Sequence, residues 1–315
     1  LTGIDTDRLE EEKRRGMSIE LGFAYVELGA GETVGFVDVP GHERFIRNML
    51  AGVAAIDFAL LVIAADDGPM PQTREHLAIL DLLGVAQGAV ALTKIDRVES
   101  ARVTEVAGEI RALLAATPLR DAPVFPLAAV SGGGVAALRQ YLAAAAAAHQ
   151  AAAAAGHFRL AIDRSFSLTG AGLVVTGAVF AGAVAMGDHL LLSPSGVPVR
   201  VRGIHAQNRK AERGQAGQRC AVNIAGADLR RVEIHRGDWL LAEALHRPTG
   251  RLDVRLQVLP GEARPLAHWT PVHLHLAASA VTGRVAVLEG KSIAPGQSGL
   301  AQLVLTLIEL LRQLM

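Results

Sequence analysis

Three short apolar runs in the first hundred residues each give way abruptly to a polar residue. They are residues 34–37, 58–65 and 88–92, and they are followed by Asp38, Asp66 and Thr93. Near-continuous apolar runs of this length are typical of strands buried on both faces of a parallel sheet. Because open α/β sheets bind their ligands at the carboxyl ends of the strands, the polar residues that follow are the first candidates for a functional site.

The sequence D-V-P-G-H at 38–42 has the features of a γ-phosphate sensor. Asp38, at the end of a strand, can hold the water shell of a Mg²⁺ ion. Gly41 has no Cβ and can turn its N–H toward a γ-phosphate and away again after hydrolysis, while His42 can orient an attacking water. The alternative is an ordinary turn at Pro40 and Gly41.

A second motif, T-K-I-D at 93–96, ends the third apolar run. Asp96 can accept hydrogen bonds from N1–H and N2–H₂ of guanine, an arrangement that adenine cannot satisfy. By analogy with other bidentate base contacts, this gives about 1–3 kcal/mol of discrimination. A surface turn with a solvated Lys94 is the alternative.

Two further polar features flank these motifs. Ser18 precedes an apolar stretch, residues 21–28, which should pair with residues 34–37 across a turn at 29–31. We expect Ser18 to become a Mg²⁺ ligand when a γ-phosphate orders its loop. The acidic pair Asp66 and Asp67 could be a general acid and base, but a role in the loop and at the start of the following helix is favoured.

Together these motifs resemble the translational elongation factors, and within them the selenocysteine-specific group. The resemblance is carried by EEKRRGMSIELG (11–22), DVPGHERF (38–45), DDGPMPQTREH (66–76), TKID (93–96) and, further on, AIDR, GAGLVVTG, HAQN, AGQR, IHRGDW and VTGRV. It implies GTP and Mg²⁺ as cofactors, with His42 catalytic and Ser18 and Asp38 on the metal. The nucleotide-binding residues that it implies are Asp38, Gly41, Thr93, Lys94, Asp96, Ala128 and Ala129.

The resemblance also sets the expected architecture: an α/β GTPase domain with a mostly parallel sheet, followed by β-barrel domains. The family begins with a phosphate-binding loop on its first strand, whereas Leu1 to Asp5 resembles the helix end after that loop. We therefore expect a GTPase domain that lacks its first strand and phosphate loop, is poorly folded and has unpaired strand edges. On this interpretation the parent protein hydrolyses GTP, and the 315 residues do not.

Composition divides the chain into three parts. Residues 142–155 are almost all alanine, a strong helix former, and would close a GTPase domain at 1–155. Beyond them, short β-branched runs with frequent glycine indicate a small barrel at 156–247. A partial second barrel follows at 248–315, where the last residues leave the family's pattern and its C-terminal RNA-binding region is not found.

Residues Asp163, Arg164 and Arg219 resemble those that enclose the aminoacyl end of the tRNA in this family. A selenol is more acidic than the thiol of cysteine, whose unperturbed pKa is about 8.5. At neutral pH it is an anion, which two guanidinium groups can select over the neutral hydroxyl of a seryl group. Asp163 would hold Arg164 in position. The alternative is a surface salt bridge of little energetic value.

Charge and cysteine content constrain the partners. Residues 1–155 carry 13 basic and 20 acidic side chains, whereas residues 156–247 carry 12 and 7, a modest electrostatic footprint for an RNA backbone. A single cysteine and no apolar run of 18 residues indicate a cytoplasmic protein without membrane contact. The resemblance implies selenocysteyl-tRNA, the ribosome and, through the missing C-terminal region, a messenger RNA element as partners. Another translational GTPase with a different aminoacyl or initiator tRNA, or an RNA-binding remnant that no longer binds nucleotide, remains open.

Overall fold

The computed structural model describes residues 1–306 except residues 8, 16–17, 29–32, 43–44, 54–55, 150–155 and 171. The chain divides into two compact units, Leu1–Gln150 and Ala151–Met315. The expected turn at 29–31, the end of the alanine-rich stretch and the last nine residues lie outside the described residues.

The first unit contains two sheets. Strands β1 (Gly22–Glu27) and β2 (Thr33–Asp38) form the expected antiparallel hairpin, in which Gly22 lies opposite Asp38. Strands β3 (Ala59–Ala64), β4 (Gly88–Thr93) and β5 (Val124–Pro126) form a parallel sheet in that order. Each of the three apolar runs therefore forms a strand, as predicted: β2 and β4 end at their polar residues, and β3 ends two residues before Asp66.

The first unit contains the helices α1 (Glu10–Arg15), α2 (Ile46–Val53), α3 (Pro71–Leu82), α4 (Ser100–Leu114) and α5 (Val135–Ala148). All but α1 pack against the parallel sheet and cover its two faces. Helices α2, α3 and α4 share one hydrophobic core with β3 and β4. Helix α5 closes a second core, in which Val34 and Phe36 of the hairpin pack together with Ala89 and Ala91 of β4. Helices on both sides of a parallel sheet confirm the α/β architecture.

One expectation for this sheet is wrong. The run at 58–65 was expected to be buried on both faces, yet Val62 of β3 is 66% exposed. Within the described residues, β3 pairs with β4 alone and β2 pairs with β1 alone. The outer edge of β3 is therefore uncovered, in agreement with the expected unpaired strand edges.

The second unit begins with a closed barrel. Its strands are β6 (Arg159–Leu168), β7 (Gly172–Ala181), β9 (His189–Ser193), β10 (Val197–Ala206), β13 (Arg219–Ala225) and β14 (Trp239–Leu241). The order β10-β13-β7-β6-β14-β9 returns to β10, which closes the barrel. Short strands β8 (Ala183–Ala185), β11 (Arg209–Ala211) and β12 (Arg213–Gln215) flank it. Leucine, isoleucine and valine side chains fill its interior.

The remaining strands of this unit form an antiparallel sheet with its own core. They are β15 (Arg251–Gln257), β16 (Leu266–Ala267), β17 (Thr270–Leu276), β18 (Ser279–Val287), β19 (Ser292–Ile293) and β20 (Ser298–Leu305). The order is β15-β20-β18-β17, and β16 pairs with β19. Among the described helices of the whole chain, none combines the length and apolar character that a membrane crossing requires.

Candidate functional site

The residues expected to bind guanine lie at the ends of two neighbouring strands. Thr93 closes β4, and Lys94 follows with a left-handed backbone (φ 58°). That turn starts a short 3-10 helix, Ile95–Arg97, on which Asp96 is exposed to solvent. An exposed carboxylate at the carboxyl end of a parallel strand is free of burial cost and accessible to a ligand.

The loop after β5 lies beside this turn. The N–H of Ile95 donates to the carbonyl oxygen of Leu127 at 3.3 Å, which ties the two loops together. Ala128 is buried and its N–H donates to Gly133, whereas Ala129 is exposed. The structure thus gathers Thr93, Lys94, Asp96, Ala128 and Ala129 at one edge of the sheet.

Lys94 is held by the acidic pair that follows β3. Its Nζ lies 3.1 and 3.0 Å from the two carboxylate oxygens of Asp66 and 3.5 Å from Asp67. The hydrogen bond to Asp66 raises the pKa of Lys94 and lowers the pKa of Asp66. Lys94 combines this ion pair with a side chain that is 40% exposed, so the structure does not contradict the alternative of a surface turn with a solvated Lys94. The acidic pair lies in a turn ahead of α3, which begins at Pro71, and fixes the lysine across the strand ends.

The two residues expected to bind magnesium are hydrogen-bonded to neighbouring positions of the N-terminal segment. Oδ2 of Asp38 accepts from the hydroxyl of Thr6 at 2.6 Å, and the hydroxyl of Ser18 donates to Asp7 at 3.0 Å. A carboxylate and a hydroxyl fit the oxygen ligands that Mg²⁺ takes with few protein groups and several waters. The described residues contain no cluster of three His, Cys, Asp or Glu side chains that could hold a metal.

Gly41 and His42 follow β2 on a partly exposed segment. An added Cβ at Gly41 would lie 3.9 Å from Cε1 of His76, on α3, and His76 is hydrogen-bonded to the backbone of Gly41. Burial lowers the pKa of His76, with Glu75 and the bond to Gly41 acting in the opposite direction. The ring of His42 lies 6.2 Å from that of Phe45. The helical pattern of α3 gave no sign that His76 contacts the expected hinge.

A second residue that the motifs did not single out is Glu12. Its side chain is buried, and its carboxylate accepts three backbone hydrogen bonds at 2.9 Å, from Leu9, Ile19 and Glu20. Carboxylates that accept several N–H groups make strong, charge-assisted bonds. Glu12 therefore holds the loop that carries Ser18 against helix α1.

Replacement of Glu12 by alanine is expected to open this loop without unfolding the unit. Hydrogen bonds to a charged acceptor contribute about 1.5–3 kcal/mol each, so the amides of Ile19 and Glu20 should exchange with solvent about 10- to 100-fold faster. Hydrogen exchange measured by mass spectrometry checks this, with the exposed Glu10→Ala on the same helix as control. Equal exchange in both variants would mean that the carboxylate does not hold the loop.

In the second unit, Asp163 and Arg219 form a partly buried ion pair. Asp163 is the extra residue at a bulge in β6, since Ile162 lies opposite Gly177 and Arg164 opposite Thr176 in β7. A bulge redirects the side chain that it inserts. Nε of Arg219 donates to Oδ2 of Asp163 at 2.8 Å, and Nη2 donates to Oδ1 at 2.7 Å.

This pair is more shielded from solvent than the exposed salt bridge of the alternative interpretation. The side chains are 17% exposed for Arg219 and 13% for Asp163. The hydroxyl of Thr176 contacts both partners. Arg164 is directly opposite Thr176, so the register places both arginines around the same threonine. The next residue, Cys220, is fully buried, and burial raises its pKa to about 11, which keeps the thiol protonated and unreactive.

Comparison with known proteins agrees with this architecture. Residues 2–148 match the elongation factor Tu GTP binding domain, residues 172–241 match elongation factor Tu domain 2, and residues 253–307 match the β-barrel domain of the selenocysteine-specific elongation factor.

Two relatives and one solved structure illustrate the similarity. The selenocysteine-specific elongation factor of Escherichia coli is 52% identical over 92% of this chain and 46% of its own length. Elongation factor 1-alpha of Methanothermobacter thermautotrophicus is 31% identical over 88% of this chain and 70% of its own. The crystal structure of a bacterial selenocysteine-specific elongation factor superposes with a TM-score of 0.84 at 30% identity, over 97% of this chain and 50% of that one.

The chain thus spans about half the length of the selenocysteine-specific relatives that it matches. The matched ranges include the strand-end motifs of the first unit and most of the barrel of the second. Elongation factor 1-alpha, which the chain matches over 70% of its length, shows that the chain belongs to the elongation factor Tu family of translational GTP-binding proteins, and its relatives at up to 52% identity are selenocysteine-specific elongation factors.

Proposed function

We propose that this chain is the part of a GTP-dependent elongation factor that binds selenocysteyl-tRNA and brings it to the ribosome. The observation that carries the proposal is the partly buried Asp163–Arg219 pair with Arg164 beside it. A guanidinium group held in place by a carboxylate presents a fixed positive charge, and the side chain of selenocysteine is anionic near neutral pH, whereas that of serine is neutral. The role requires a cytoplasmic protein.

The first unit would supply the switch. Asp96 would accept from the guanine edge, with Thr93, Lys94, Ala128 and Ala129 lining the base site, and Asp38 and Ser18 would hold Mg²⁺. The metal, when bound, neutralises charge on the phosphates. For Asp38 and Ser18 to reach it, their bonds to Thr6 and Asp7 must be exchanged. Gly41 would follow the γ-phosphate, and His42 would orient the attacking water.

Replacement of Arg219 by alanine tests the proposal. We expect the affinity for selenocysteyl-tRNA to fall about 10- to 100-fold, the range for loss of a charge-assisted hydrogen bond, while the affinity for seryl-tRNA stays unchanged. Fluorescence titration of the two charged tRNAs measures the ratio. Arg213→Ala, an exposed arginine of the same unit, is the matched control and should leave the ratio unaltered.

Three results would overturn this assignment. Unchanged discrimination in Arg219→Ala would exclude the pocket, and equal binding of the two tRNAs by the wild-type chain would favour a factor for another aminoacyl-tRNA. A parallel loss of affinity for both tRNAs in Arg219→Ala would assign the arginine to the common part of the tRNA instead.

A further inference from the structure

The Asp163–Arg219 pair is completed by a third side chain, the hydroxyl of Thr176. This hydroxyl donates to Oδ1 of Asp163 at 2.5 Å and accepts from Nη2 of Arg219 at 2.9 Å. Each of the three side chains is therefore hydrogen-bonded to both of the others. Thr176 is only 5% exposed, so water cannot readily take over its bonds.

The strand register places Thr176 at the centre of this group. It lies opposite Arg164 on β6 and opposite Ala221 on β13, two residues from Arg219. Side chains directly opposite each other in antiparallel strands have Cβ atoms about 4.5–5.5 Å apart. The small side chain of Ala221 leaves room beside the hydroxyl, on the side of the threonine away from Arg164.

Thr176 also restricts how the guanidinium group can turn. Two parallel bonds to a carboxylate fix the plane of an arginine, but the carboxylate of Asp163 can itself rotate about its terminal torsion. The hydroxyl of Thr176 is hydrogen-bonded to both Oδ1 of Asp163 and Nη2 of Arg219. It therefore fixes the carboxylate and the guanidinium group relative to strand β7. A β-branched threonine on a strand has a restricted χ1 angle, so the anchor is itself stiff.

We propose that Thr176 is a positioning residue that sets the selectivity of the pocket for an anionic aminoacyl side chain. The inference rests on the proposed function, because it assigns Thr176 to the same site. Thr176 does not reach the ligand in this role. It holds the positive charge of Arg219 at a fixed position. An anionic aminoacyl side chain then gains a strong electrostatic interaction with that charge, whereas a neutral hydroxyl gains little binding energy.

Replacement of Thr176 by valine removes the hydroxyl and keeps the shape. We expect the ratio of affinities for selenocysteyl- over seryl-tRNA to fall about tenfold, the equivalent of one hydrogen bond, with seryl-tRNA binding unchanged. Thr176→Ser, which keeps the hydroxyl, should restore most of the ratio. Thr282→Val is the matched control, since Thr282 is also hydrogen-bonded and partly buried, but in the other sheet of this unit.

A second measurement reports on the arginine itself, without tRNA. In the wild-type chain the Nε–H of Arg219 should exchange slowly with water in ¹⁵N-resolved NMR spectra, and its signal is assigned by its absence from Arg219→Ala. We expect exchange to be about tenfold faster in Thr176→Val and near the wild-type rate in Thr176→Ser. Slow exchange in both variants would show that the hydroxyl does not position the guanidinium.

The binding data separate the failure of this inference from the failure of the proposed function. If Arg219→Ala abolishes discrimination and Thr176→Val leaves it intact, Thr176 is not a positioning residue and the pocket assignment stands. If Arg219→Ala leaves discrimination intact, the proposed function fails and this inference fails with it. An equal loss of affinity for both tRNAs in Thr176→Val would indicate a purely structural role and would overturn the inference.

Discussion

Replacement of Gly177 by alanine is expected to destabilise the second unit by about 4 kcal/mol, at the upper end of single-substitution effects. An added Cβ would overlap the carbonyl oxygen of Ala161 and lie 2.8 Å from both its carbonyl carbon and Cδ2 of Leu160. A backbone carbonyl cannot swing aside as the end of a long side chain can. Ala161 is also paired with Trp239 on the opposite side of β6, so the strand has no free direction in which to move.

Chemical denaturation followed by circular dichroism measures the change in the free energy of unfolding. In thermal denaturation, for a unit of this size, 4 kcal/mol corresponds to a fall of roughly 10 °C in Tm. Gly203→Ala is the matched control, because it lies in β10 of the same barrel and its added Cβ would meet only Cβ of Asn223, at 3.9 Å. We expect that variant to change stability by less than about 1 kcal/mol. A Gly177→Ala variant as stable as Gly203→Ala would show that β6 and β7 are not held as closely as described.

The local sequence was sufficient to predict strands β1 to β4 and the approximate positions of their ends. Apolar runs followed by polar residues gave β2, β3 and β4, and the hairpin of β1 and β2 followed from two apolar stretches separated by glycines. These are local patterns. The exposure of Val62 could not be predicted in this way, because the burial of a strand depends on which elements cover it. The apolar run has the same sequence whether or not another element covers the edge of its strand.

The site was predictable where a motif carries its own chemistry and not where it depends on contacts between distant residues. Asp38 and Asp96 could be proposed because Asp38 ends a strand and Asp96 closely follows a strand end. Glu12 could not, since two of its three backbone bonds, to Ile19 and Glu20, reach beyond its own helix to a separate loop. Thr176 lies in the motif GAGLVVTG, which does not show what its side chain contacts. The bulge at Asp163 breaks the two-residue alternation of β6 and decides which side chains meet.

A second large effect on stability is expected when only one partner of the Asp163–Arg219 ion pair is removed. Asp163→Ala leaves the guanidinium group of Arg219 without its carboxylate, and removal of one partner of a buried ion pair costs about 3–5 kcal/mol. The side chains are 13% and 17% exposed, so solvent screens the remaining charge only partly. We expect the free energy of unfolding of the second unit to fall by about 3 kcal/mol, measured by urea denaturation.

The double variant Asp163→Ala, Arg219→Met then separates stability from recognition. Because a buried pair can often be replaced by apolar side chains at little cost, we expect the double variant to be more stable than Asp163→Ala alone. The sum of the two single effects should exceed the double effect by about 2 kcal/mol or more, the coupling of residues in one network. Such a result would mean that the two side chains are coupled and that the fold tolerates loss of the whole pair better than loss of the carboxylate alone. Additive effects would show instead that the two side chains are not coupled, and Arg219 would then lack the fixed orientation on which selectivity for an anion depends.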